Sequence, residues 1–117
     1  MIVIDYKDAR PIYEQIVERF SELILKGVLT ADSQMPSVRN LAMELSINPN
    51  TIQKAYMELE RRGYTYSVKG RGIFIKDPKA LLDERKKNCL MRIAEETREA
   101  LGYGVTKKEI KDMVESI

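Results

Sequence analysis

The stretch from Asn50 to Lys54 places three hydrogen-bonding side chains close together on what reads as one helix. Asn50 and Gln53 carry amides, each with a donor and an acceptor, and Lys54 carries a cation. Amides of this kind can bond adenine at two atoms at once, and a lysine can reach guanine or a phosphate. The chemistry that these residues favour is therefore recognition of base edges in DNA.

The periodicity around these residues predicts the helix that carries them. Asn48 is a preferred N-cap residue and Pro49 suits the first helical position, so the two predict where the helix starts. At about 100° per residue, Ile52, Ala55, Tyr56 and Leu59 fall on one side. The opposite side carries Asn50, Gln53, Lys54, Met57 and Arg61. Asn48 remains a candidate DNA contact, although its role as a cap explains it better.

Two helices are predicted before this one. Pro11 is placed at the first position of a long helix with apolar residues at helical spacing, which Gly27 can end in a left-handed conformation. The turn VLTADSQMP follows, and Ser37 can cap a short second helix, SVRNLAMEL. The segment Ser46 to Asn48 is long enough only for a tight turn between two helices.

A hairpin is predicted after the third helix. The segment YTYSV KGRG IFIK reads as two β-rich runs joined by a four-residue turn, with Lys69 and Arg71 at its tip. The order of helix, helix, turn, helix and basic hairpin predicts a mainly α fold of the winged helix-turn-helix type. In such modules the helix after the turn enters the major groove and the helix before it crosses the backbone.

The charge distribution points to a polyanion. The chain has a formal net charge of +2, but residues 36–76 hold seven basic and three acidic side chains, a balance of +4. Arg39 lies in the first turn of a helix, where a cation opposes the helix dipole and a functional reason is expected. We therefore expect Ser37 and Arg39 to share a phosphate, with Lys69, Gly70 and Arg71 doing comparable work from the hairpin tip.

Residues 79–117 read as a separate pair of amphipathic helices, after a winged domain that spans residues 1–76. Thr106 and Glu109 have the spacing of a capping box at the start of the last helix. A second copy of the chain could cover the apolar faces, which makes a homodimer the expected state; packing back onto the first helix is the alternative. The residues expected in the dimer interface are Leu82, Leu90, Ile93, Thr97, Leu101, Ile110, Met113 and Val114.

The composition argues against several other classes of protein. The chain has no His and one Cys, Cys89, and it lacks a glycine-rich phosphate loop, so we expect no catalytic residues, no metal site and no cofactor. No apolar run approaches the roughly 18 residues that a membrane span needs. Neither a signal peptide nor a disulfide is expected, which favours a cytoplasmic location.

Three segments resemble the GntR family of bacterial transcription regulators: PIYEQI, MPSVRNLAMELSINPNTIQKAYMELERRGY and KGRGIFI. The short two-helix tail resembles the YtrA subfamily. The resemblance implies DNA contacts at the positions of Arg39, Asn48 to Thr51, Gln53, Lys69 and Gly70. It also implies a dimer formed by the tail, regulation of transporter operons, and a small-molecule effector that the sequence does not identify.

Two features depart from the family pattern. Pro49 stands where many members have an arginine that reads a base, and TADSQMP lacks the usual Pro-Gly before the second helix. The expected function is a dimeric repressor that binds double-stranded DNA at a palindromic operator. The alternative is a winged helix that binds an acidic protein and has no DNA target.

Overall fold

The computed structural model describes residues 2–117 of the chain. It contains five helices and a hairpin: α1 (Ile12–Leu25), α2 (Val38–Leu45), α3 (Pro49–Arg61), β1 (Thr65–Val68), β2 (Gly72–Ile75), α4 (Lys79–Gly102) and α5 (Lys107–Ser116). The chain divides into two compact units, one that ends at Ala80 and one that spans Leu81–Ile117. The predicted fold class is confirmed, with a winged helix-turn-helix followed by two C-terminal helices.

The core of the first unit forms where α1 packs against α3. Phe20 on α1 is fully buried and meets the ring of Tyr56 on α3 edge to face, with the ring centroids 5.9 Å apart. Ile16 and Ile24, one turn away from Phe20 on either side, are also fully buried. These are the positions that the 3.6-residue period of α1 predicts.

The start of α1 differs from the prediction. Pro11 was expected at the first helical position, and this expectation was wrong: the helix begins at Ile12 and Pro11 is its N-cap. The ψ angle of Pro11 is 145°, an extended value, so the proline lies just outside the helix. Gly27 has a φ of +75°, which confirms the predicted left-handed stop.

The caps of α2 and α3 agree with the prediction. The Ser37 hydroxyl accepts a hydrogen bond from the Asn40 backbone N–H at 3.0 Å. The Asn48 side chain accepts from the Asn50 N–H at 2.8 Å, and Pro49 begins α3. Between the two helices Ser46 has a φ of +54°, which turns the chain sharply enough for a three-residue connection. Both caps orient the helix starts that the candidate site uses.

The hairpin is antiparallel, with Thr65 opposite Ile75 and Val68 opposite Gly72. The expected four-residue turn was wrong by one residue, because Gly72 pairs with Val68 and leaves only Lys69, Gly70 and Arg71 between the strands. The Arg71 N–H donates to the Val68 carbonyl at 2.9 Å, and Gly70 in this turn has a φ of +78°. A residue with a side chain rarely adopts that conformation, so glycine is needed at this position.

The segment before α2 extends the hairpin along one edge. It was expected to be a turn, and residues 30–37 do contain turns, but Gln34 also forms an antiparallel bridge with Phe74. The Met35 N–H donates to the Ile73 carbonyl at 2.8 Å, and the Asp32 N–H donates to the Ile75 carbonyl at 2.7 Å. The chain that leads into α2 is thereby fixed to strand β2.

The second unit consists of α4 and α5 and has a different character. Thr106 and Glu109 form the predicted capping box, with the Glu109 N–H donating to the Thr106 hydroxyl at 3.1 Å. Neither helix contains a buried residue. In the part of the chain that the structure describes, no helix combines the length and the apolarity that a bilayer crossing demands.

Candidate nucleic-acid interface

A groove of about 480 Å³ lies between the start of α2 and the tip of the hairpin. The capped end of α2 contributes Ser37 and Val38, and the hairpin contributes the three loop residues, Lys69, Gly70 and Arg71, which are all exposed. A helix start attracts anions through its N–H groups and its dipole. Two exposed cations opposite such a helix start form a groove suited to phosphate.

Tyr56 on α3 fixes the start of α2 through a hydrogen bond to the residue before its N-cap. This side chain is 2% exposed, and its hydroxyl donates to the Pro36 carbonyl at 2.8 Å. Burial, and to a smaller extent the negative charge of Glu44, raises the pKa of Tyr56 well above the ordinary tyrosine value. The hydroxyl therefore stays protonated at neutral pH and continues to donate this hydrogen bond from α3 to the residue before Ser37.

A second concavity, of about 540 Å³, lies along the polar side of α3 next to the start of α1. Its lining includes Asn50, Gln53 and Lys54, the three side chains with base-reading chemistry. All three are exposed. The side of α3 that was predicted to be polar is thus open to a partner, while Ile52, Ala55, Tyr56 and Leu59 are buried as predicted.

Lys54 makes a contact that the sequence does not reveal. Its ammonium nitrogen lies 4.0 Å from the centroid of the Tyr13 ring, on α1. A cation over an aromatic ring is held by the negative face of the ring. The ammonium group of Lys54 therefore lies between α3 and α1.

Glu58, the acidic residue on this side of α3, forms ion pairs with two arginines. Glu58 accepts hydrogen bonds from Arg61 and from the Arg62 guanidinium, 2.8 Å away. Hydrogen bonds from Arg61 and then Arg62 lower the pKa of Glu58 to about 2. Glu58 is thus ionised and paired at neutral pH, and the basic character of residues 36–76 is preserved along this side.

The predicted site residues fall into three groups. Ser37, Lys69, Gly70 and Arg71 share the groove beside the hairpin, and Asn50, Gln53 and Lys54 share the concavity on α3. The remaining three, Arg39, Asn48 and Thr51, line neither concavity. Arg39 and Asn48 are exposed at the starts of α2 and α3, and Thr51 is half-buried.

Sequence reasoning missed three residues near these two concavities: Tyr13, Gln34 and Tyr56. Tyr56 was predicted as core, and it is, but its hydrogen bond to Pro36 was not foreseen. The contacts of Tyr13 and Gln34 join residues about 40 positions apart, and no local pattern reports such a contact. In the sequence, Gln34 has no feature that distinguishes it from other polar residues in loops.

The candidate dimer residues lie on the two helices of the second unit. Leu90, Ile93, Met113 and Val114 are large apolar side chains that remain between 57% and 66% exposed. The other four are half-buried: Leu82, Thr97, Leu101 and Ile110. So many exposed apolar side chains on one short unit are typical of a surface that another protein covers.

Among residues 2–117 no cluster of three or more His, Cys, Asp or Glu side chains is arranged to hold a metal ion. Cys89 is exposed and unbridged. Its sulfur accepts a hydrogen bond from the Arg92 guanidinium at 3.1 Å.

The fold and these concavities define a winged helix-turn-helix protein with a short helical tail. Residues 12–75 match the family described as bacterial regulatory proteins, gntR family. The chain belongs to this family, which confirms the resemblance seen in the sequence.

Similar proteins agree with this assignment. The chain is 48% identical over 77 residues to the HTH-type transcriptional repressor YtrA of Bacillus subtilis (strain 168), a match that covers 66% of this chain and 59% of that relative. A transcriptional regulator from Oenococcus oeni, known from its crystal structure, is 32% identical in sequence. The structural match has a TM-score of 0.72 and covers 99% of this chain and 98% of that one. The latter likeness includes both tail helices.

Several of the similar structures are complexes with operator DNA. AraR(DBD) in complex with operator ORE1 is 29% identical and has a TM-score of 0.55, and the match covers 64% of this chain and 92% of that one. The matched part of this chain is thus similar to a protein whose structure was solved with an operator.

Proposed function

We propose that this chain is a DNA-binding transcription regulator that represses its target genes as a homodimer. The observation that carries the proposal is the pair of concavities in the winged unit, one flanked by cations at a helix start and one lined by amides on α3. An anion-attracting groove beside a base-reading helix is the arrangement that a duplex requires. The likeness to a DNA-bound domain adds support.

Each group of residues takes a distinct role in this proposal. Asn50, Gln53 and Lys54 read base edges in the major groove, and Thr51 contacts the DNA beside them. Asn48 caps α3 and presents its first turn to the duplex. The residues that bind phosphates are Ser37, Arg39, Lys69, Gly70 and Arg71.

The homodimer follows from the exposed apolar side chains of the tail. We propose that residues 79–117 form the dimer interface and that residues 1–76 form the DNA-binding domain. A two-fold dimer places two winged units on a palindromic operator, with half-sites about one helical turn or a multiple of it apart. The proposed location is the cytoplasm, the proposed targets include a transporter operon, and a small molecule could act as effector.

Two substitutions distinguish base reading from phosphate binding. An operator is first selected from a pool of random duplexes, and affinity is then measured by fluorescence anisotropy on the operator and on a scrambled duplex. We expect Gln53→Ala to reduce the preference for the operator by about 1 to 3 kcal/mol. Lys69→Ala should weaken binding to both duplexes equally and lower the salt dependence by a slope of about one.

Lys26→Ala is the matched control, because Lys26 is an exposed cation at the end of α1 that lines neither concavity. It should leave affinity and preference unchanged. Equal losses on both duplexes for Gln53→Ala would contradict the role assigned to α3. Absence of salt-dependent binding by the unsubstituted protein would instead favour a winged helix that binds a protein partner.

A further inference from the structure

Gln34 connects the two sides of the groove beside the hairpin. Its side-chain Nε2 donates a hydrogen bond to the Arg71 carbonyl at 2.8 Å, across 37 positions of sequence. Its backbone bridges to Phe74 on β2, and it lies three residues before Ser37. One residue therefore contacts the hairpin tip through its side chain and the β2 edge through its backbone, immediately before the start of α2.

The hairpin backbone is shaped to receive this side chain. Gly72 has a φ of +116°, and a Cβ added there would lie 2.8 Å from the Gln34 Nε2 atom. The positive φ favours glycine at this position, and the absence of a side chain leaves room for the Gln34 amide. The Gln34 amide occupies the space that a side chain at position 72 would fill.

Backbone and side-chain hydrogen bonds around Gln34 fix the same segment. The Met35 N–H donates to the Ile73 carbonyl at 2.8 Å, and the Ile75 N–H donates to the Ser33 carbonyl at 2.9 Å. The Tyr66 hydroxyl donates to the Asp32 carboxylate at 2.7 Å. The segment is thus fixed along β2, but only the Gln34 side chain reaches the loop that carries the cations.

From these contacts we propose that Gln34 is a positioning residue for the phosphate-binding loop Lys69–Arg71. By holding the Arg71 carbonyl, Gln34 keeps the loop at a set distance from the capped start of α2, so that both sides of the groove meet the same stretch of DNA backbone. This inference rests on the proposed DNA-binding function. Gln34 itself need not contact DNA, because it acts through the Arg71 carbonyl.

The test measures full-length protein on a scrambled duplex of about 30 base pairs, roughly three helical turns, because the loop acts on phosphates and needs no operator. Gln34→Ala should weaken binding about fivefold to tenfold and lower the slope of log affinity against log salt by about one, as expected for one lost phosphate contact. The melting temperature of Gln34→Ala is the control for folding. If it is unchanged, the lower slope cannot be explained by a folding defect.

A double-mutant cycle locates the effect in the loop. If Gln34 acts through the loop, Gln34→Ala combined with Arg71→Ala should cost clearly less than the sum of the two single losses. Ser33→Ala is the matched control: its hydroxyl bonds only within its own turn, to the Thr30 carbonyl at 2.6 Å, and the substitution should change neither affinity nor slope.

Amide hydrogen exchange without DNA gives an independent measurement. Gln34→Ala should speed exchange of the Arg71 N–H, which bonds the Val68 carbonyl at 2.9 Å, and Ser33→Ala should not. Unchanged exchange, or unchanged affinity and slope in a protein that binds DNA, would overturn the positioning role alone. An unsubstituted protein that binds neither this duplex nor a selected operator would overturn the proposed function and this inference together.

Discussion

The two units of this chain differ in what they bury. The winged unit has a core of fully buried side chains, among them Ile16, Phe20 and Leu59. The tail, Leu81–Ile117, contains no buried residue in either helix and exposes large apolar side chains. Burial of apolar surface is the main force that stabilises a fold, so the first unit contains the source of its own stability and the second does not.

This difference separates two kinds of surface. The two concavities of the winged unit are built on its buried core and are present in the chain without a partner. The apolar surface of the tail is exposed, and a second copy of the chain is the partner that we propose to cover it. DNA recognition and dimerisation should therefore respond differently to substitutions in the two units.

Phe20→Ala should have the largest effect on stability. It removes a fully buried ring that packs against Tyr56, and substitutions of this kind cost about 3 to 5 kcal/mol. Urea denaturation measures the loss. Leu90→Ala in the tail, where the side chain is 66% exposed, should leave the unfolding of the winged unit unchanged; an equal loss would contradict the contrast between the units.

A charge in the tail should affect association rather than folding. Ile93→Asp places a carboxylate in the proposed interface, where an unpaired charge is costly, and should weaken dimerisation about a hundredfold or more. Analytical ultracentrifugation measures the change. Glu96→Gln, on an exposed residue that we do not place in the interface, is the control. If Ile93→Asp leaves the dimer intact, the tail surface has another partner.

Tyr56→Phe tests how firmly the core supports the start of α2. Loss of the hydrogen bond to the Pro36 carbonyl should destabilise the winged unit by about 1 to 2 kcal/mol. Urea denaturation at neutral pH measures this loss, with the exposed tail residue Tyr103→Phe as the control. A loss confined to Tyr56→Phe would tie the start of α2 to the core.

The same variant predicts a pH dependence. The folded pKa of Tyr56 is raised by burial, so its stabilising contribution is present below pH 10 and is lost as pH rises from about 10 towards the folded value. The unfolded chain ionises this tyrosine first, which favours unfolding. Above about pH 10, the stability of Tyr56→Phe should therefore fall less steeply with pH than that of the unsubstituted protein. Identical slopes would contradict the burial of this hydroxyl.

The contact between Lys54 and Tyr13 should have the smallest effect. A double-mutant cycle with Tyr13→Leu and Lys54→Met should give a coupling energy of about 0.5 to 1 kcal/mol, typical of an exposed cation over a ring near the surface. Tyr13→Phe keeps the ring and should keep most of the coupling. A coupling of zero would mean that Lys54 is free on the α3 surface.

Local patterns predicted much of the winged unit. Ser37 and Asn48 were identified as caps because their side chains bond backbone groups two or three residues away, and the buried side of α3 followed from its period. The apolar sides of α4 and α5 were also visible in the sequence. The sequence did not show what covers these apolar sides, because no residue of either helix is buried by the other.

The predictions failed where long-range contacts decide the structure. Gln34 was placed in a turn because its pairing with Phe74 joins segments 40 residues apart. Gly72 was assigned to the turn because glycine is typical of turns, whereas here it pairs in β2 and makes room for the Gln34 amide. Pro11 was misplaced by one residue, since a proline suits both the first helical position and an extended N-cap.

The central claim is that the starts of α2 and α3 and the tip of the hairpin meet one duplex. Amide hydrogen exchange with and without a saturating operator duplex tests it most directly. DNA is expected to slow exchange together at residues 37–39, 50–54 and 69–72, while the tail amides are unaffected in a protein that is already dimeric. Protection at only one of these segments, or protection confined to the tail, would contradict it.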